Sequence, residues 1–61
     1  MSGLPVSIRR PLALILEDDI PQAKLLAYVL NKFGIDSEFY ASSIPFLTRL
    51  SEIKPDIAFI D

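Results

Sequence analysis

Apolar residues along this chain fall into two alternating patterns. Leu12-Ala13-Leu14-Ile15-Leu16 is an unbroken apolar run that stops abruptly at Glu17-Asp18-Asp19. Continuous rather than alternating apolar character predicts a strand covered on both faces, as in a parallel sheet. A helix is expected next. Asp19 can cap its N-terminus, and Pro21 fits the first turn, where a missing N–H costs nothing. Ala23, Leu26, Ala27, Leu30 and Phe33 recur at helical spacing and predict its buried stripe. Gly34 supplies a left-handed stop.

The pattern then changes period. From Ile35 to Tyr40 it alternates, with Ile35, Ser37 and Phe39 on one side and Asp36, Glu38 and Tyr40 on the other. That is the signature of a half-exposed edge strand. Phe39-Tyr40 reads as edge packing, not as a platform for nucleobases. Ser42 is a candidate cap for a second helix that keeps Pro45 in its first turn, with Ile44, Leu47, Leu50 and Ile53 as its apolar face. Lys54-Pro55-Asp56 breaks that helix. Ile57-Ala58-Phe59-Ile60 is a second continuous apolar run, expected to be covered on both faces, and it leads straight into Asp61.

Strands alternating with helices indicate an α/β fold with parallel pairing and right-handed crossovers. The continuous strands favour central positions and the amphipathic one an edge. The expected order is therefore second, first, third: a partial doubly wound parallel sheet of βαβαβ type. The chain turns one way after the first strand and the other way after the second. This places a switch point between the first and third strands, where ligands of open α/β sheets bind. Residues 1–11, with two prolines, a glycine, two serines and no period, predict a flexible leader, and residues 12–61 the folded part.

Composition narrows the chemistry. The chain has 61 residues, so it holds at most one small domain. Its hydrophobic content of 51% argues for a packed fold rather than a disordered tail. Cysteine and histidine are both absent, which excludes disulfides, thiolate metal sites and the commonest general base. A net charge of −2 gives no support for a nucleic-acid surface. The run Leu12–Leu16 is too short for a secretory signal, which needs about 7–15 apolar residues, or for a membrane span of about 20. Arg9-Arg10 reads as a solvated lead-in to the first strand. A soluble cytoplasmic protein is the default expectation.

Both continuous strands end in acid, Glu17-Asp18 on one and Asp61 on the other. Parallel neighbours lie about 4.8 Å apart with their carboxyl ends facing the same way. Three carboxylates are thus expected in one pocket, where like charges raise one another's pKa values unless a cation relieves them. Hard oxygen donors without histidine or cysteine point to Mg²⁺. A divalent ion beside a carboxylate also suits phosphoryl transfer. Asp19 reads instead as a helix cap.

These residues carry a resemblance to a known family. Leu14-Ile15-Leu16-Glu17-Asp18-Asp19 resembles the first strand and acidic pair of the receiver domains of bacterial two-component response regulators. Pro55-Asp56-Ile57-Ala58-Phe59-Ile60-Asp61 is similar to their third strand, which closes on the phosphorylated aspartate. Tyr40-Ala41-Ser42-Ser43, followed by Phe46-Leu47, looks like the start of their second helix, and the spacing from Asp18 to Asp61 also suits the family. The resemblance covers Leu12 to Asp61. It implies a flavodoxin-like fold, truncated after its third strand. It also implies that Asp18 binds Mg²⁺ directly, that Glu17 binds it through water, and that Asp61 is both ligand and phospho-acceptor. The implied donor is a sensor histidine kinase or a phosphotransfer protein.

A receiver has two further strands and three further helices, with a switch Ser or Thr and a phosphate-binding Lys on the added strands. The expectation is therefore the N-terminal half of such a domain, not competent for phosphoryl transfer by itself. Leu25, Tyr28 and Val29 widen the first helix's apolar face, which is expected to pack against a last helix of the full domain or, alternatively, against a homodimer or other partner. Nucleic acid would be contacted only through a separate output domain. Two other classes compete. One is a degenerate receiver acting as an interaction module without phosphorylation. The other is a piece of an α/β enzyme such as a phosphatase of the haloacid dehalogenase type, but Glu17-Asp18-Asp19 does not supply the Asp-x-Asp pattern such an enzyme needs.

Overall fold

A computed structural model of the chain describes residues 9–61. The elements run β1 (Leu12–Leu16), α1 (Ile20–Lys32), β2 (Asp36–Tyr40), α2 (Ser43–Glu52) and β3 (Ile57–Ile60). The three strands form one parallel sheet in the order β2-β1-β3. This is the βαβαβ arrangement and strand order that the alternating patterns predict.

Central placement of β1 follows from its composition. Ala13, Leu14 and Ile15 are fully buried. Ala13 and Ile15 face one side and join Leu30 of α1, with Leu26, Ile35, Phe39, Ile57 and Phe59 packed around them. Leu14 points to the other side, where Phe46 of α2 is also buried. The two helices therefore cover opposite faces of the sheet. Because the chain moves in opposite directions from β1 to β2 and from β2 to β3, opposite faces give both crossovers the same hand.

Local signals explain the helix ends. Asp19 caps α1, its side chain accepting from the Gln22 N–H at 3.2 Å, and Pro21 sits in the first turn. Gly34 stops the helix with φ +79°. Its N–H donates to the Asn31 carbonyl, and that of Ile35 to the Leu30 carbonyl, so the last carbonyls of the helix are satisfied. Ser42 occupies the N-cap of α2 without a side-chain capping bond. A polar clasp ties α2 to β2 instead. The Arg49 guanidinium donates to both carboxylate oxygens of Glu38, at 2.8 and 3.0 Å, and the Tyr40 hydroxyl donates to the same carboxylate at 2.9 Å. Tyr40 also meets the Phe46 ring edge-on.

Three packing expectations are corrected. Phe33 is 77% exposed because it is the C-cap residue, where the backbone has already left the helix. In α2 the buried residue is Phe46, whereas Ile44 is 77% exposed and Leu47 is also exposed. The Arg49–Glu38 clasp and the large Phe46 ring fix the rotation of the helix, and Ile44 and Leu47 turn outward. In β3 only Ile57 and Phe59 are partly buried, while Ala58 and Ile60 are exposed. Among the described residues β3 is an edge strand, and α2 packs on β1 and β2 rather than on it.

Residues 1–8 of the expected leader lie outside the described residues. Arg9 and Arg10 do make contacts. Arg9 pairs with Asp56 at 3.3 Å, and Arg10 pairs with Asp36 at 2.8 Å and donates to the Asn31 side chain at 2.9 Å. Among the described residues no helix is long and apolar enough to cross a membrane.

Candidate metal site

Strand register places the acidic residues. Leu16 of β1 is aligned with Ile60 of β3 and with Tyr40 of β2. The ladder continues one step further, with the Glu17 N–H donating to the Tyr40 carbonyl and the Asp61 N–H to the Leu16 carbonyl. Glu17 and Asp61 are therefore neighbours across adjacent parallel strands, both at the carboxyl rim of the sheet. Asp18 follows in the turn before the α1 cap. Glu17, Asp18 and Asp61 each offer a carboxylate oxygen, and these oxygens all lie within 4.8 Å of one another. All three residues proposed from the sequence as ligands thus come together. Asp19 stands apart from the cluster, as expected for a cap.

The electrostatics follow from this crowding. The Glu17 carboxylate accepts the Asp19 N–H at 3.1 Å, which is the largest single influence on it and pulls its pKa down. Desolvation and the charge of Asp61, with hydrogen bonding to Asp18 and Asp61, act the other way and leave Glu17 above the ordinary carboxylate value. A proton or a cation relieves such repulsion.

This donor set suits a hard divalent ion. Oxygens bound to one Mg²⁺ at about 2.1 Å lie about 3–4 Å from each other, so small side-chain rotations suffice to close the cluster. Asp18 and Asp61 are exposed and Glu17 is half-buried, which leaves room for the waters that Mg²⁺ retains.

Residues not singled out as part of the site border it. A cleft of about 260 Å³ at the rim is lined by Leu16, Glu17, Asp18, Ala41, Ser42, Ser43 and Asp61. The sequence places Ser42 and Ser43 at the start of the second helix, not at the acidic site. Their position was implicit in the parallel register, since Ala41-Ser42-Ser43 follow β2 just as Glu17-Asp18 follow β1. On the other face a groove of about 460 Å³ runs from Glu17 and Asp61 along Leu25, Leu26, Val29, Phe59 and Ile60.

These features define an α/β chain with a three-stranded parallel sheet and an acidic cluster at its carboxyl rim. Comparison with protein-family models, with curated proteins and with solved structures finds no match.

Proposed function

We propose that residues 12–61 form the first half of a flavodoxin-like receiver domain of a cytoplasmic two-component response regulator, with Asp61 as phospho-acceptor. The observation that supports this reading is the convergence of Glu17, Asp18 and Asp61 at the carboxyl rim of adjacent parallel strands. In this reading Glu17, Asp18 and Asp61 hold Mg²⁺, which when bound offsets negative charge on the phosphoryl oxygens. An Asp61 carboxylate oxygen attacks the phosphorus of a phosphohistidine on a sensor kinase or phosphotransfer protein. The new bond is an acyl phosphate, and the P–N electron pair leaves with the imidazole. Asp18 and Glu17 would hold the ion beside the acceptor, and their carboxylates already lie within 4.8 Å of that of Asp61. The exposed Leu25, Tyr28 and Val29 on α1, and the side of β3 that pairs with no strand among the described residues, fit a sheet that further strands and helices would extend.

A chimera tests this reading. Residues 12–61 would replace the first three strands and two helices of a working receiver. The folded chimera is expected to be labelled stoichiometrically by acetyl phosphate with Mg²⁺, and Asp61→Asn to abolish the label. A folded chimera that takes no label would overturn phospho-acceptance and favour the interaction module.

A further inference from the structure

We draw no further inference here: the strongest candidate, the apolar groove between α1 and β3 lined by Leu25, Val29, Phe59 and Ile60, carries nothing because nothing in the structure shows what covers it.

Discussion

Gly34 holds φ at +79°, and a Cβ built there meets nothing within 4 Å. A substitution therefore tests backbone conformation alone. Gly34→Ala is expected to destabilise the fold by about 1–2 kcal/mol, the cost of a left-handed L-residue. Urea denaturation would measure it, and an unchanged midpoint would contradict the capping role. Asp56 illustrates a different residue-scale effect. Its carboxylate accepts the Leu12 N–H at 2.8 Å, and its own N–H donates to the Leu12 carbonyl, also at 2.8 Å. The Leu12 bond, reinforced by the charge of Arg9, holds this carboxyl below its ordinary value. A depressed folded pKa means a contribution fully present above the unfolded value of about 3.9 and lost as pH falls through the folded one. Carboxyl NMR titration should give Asp56 a lower midpoint than Asp56 in the urea-unfolded chain. An equal or higher midpoint would count against the reciprocal link between β1 and β3. The Gly34 stop is legible in the sequence, whereas the pairings of Arg9 and Arg10 are not, because ion pairs between distant positions leave no periodic trace.

At the scale of elements, legibility followed the strength of the pattern. β1 was read with its bounds intact because five apolar residues end sharply at three acids. α1 was equally clear, since Asp19, Pro21 and Gly34 mark its ends independently of its apolar stripe. In α2 the pattern places Ile44 and Leu47 inward, whereas Phe46 is the buried residue and Ile53 is half-buried. Ile44, Leu47 and Leu50 recur at intervals of three, while Phe46, Leu50 and Ile53 form a rival stripe at i, i+4 and i+7, and the period alone does not choose between them. The deciding contact is the bond from Arg49 to Glu38, which joins two elements and is invisible to a helical period. The structure thus makes a prediction opposite to the sequence pattern. Phe46→Ala should cost about 3–5 kcal/mol, as expected for a buried aromatic ring. Leu47→Ala, at an exposed position, should change stability by no more than about 0.5 kcal/mol. Paired urea melts would decide it, and a larger loss in Leu47→Ala would reverse the assignment.

For the molecule as a whole, the strand order and the acidic rim were both readable from the same fact: two apolar strands, each ending in carboxylates. The order β2-β1-β3 needs only that the most continuous run be central and the alternating one be lateral. Burial of β3 was overestimated, because an apolar sequence records what a strand can tolerate and not which neighbours cover it. The bordering Ser42 and Ser43 were missed because they become part of the rim only once register is known. Phospho-acceptance at Asp61 depends above all on Glu17, Asp18 and Asp61 acting as one divalent-cation site. The most direct measurement is a Mg²⁺ titration of the chain followed by side-chain carboxyl NMR. The signals of Glu17, Asp18 and Asp61 should shift together with one apparent affinity while Asp36, Asp56 and Glu52 stay still, and Asp18→Asn should weaken the response of the other two. Carboxyl signals that never move, or that all drift alike as Mg²⁺ rises, would contradict it.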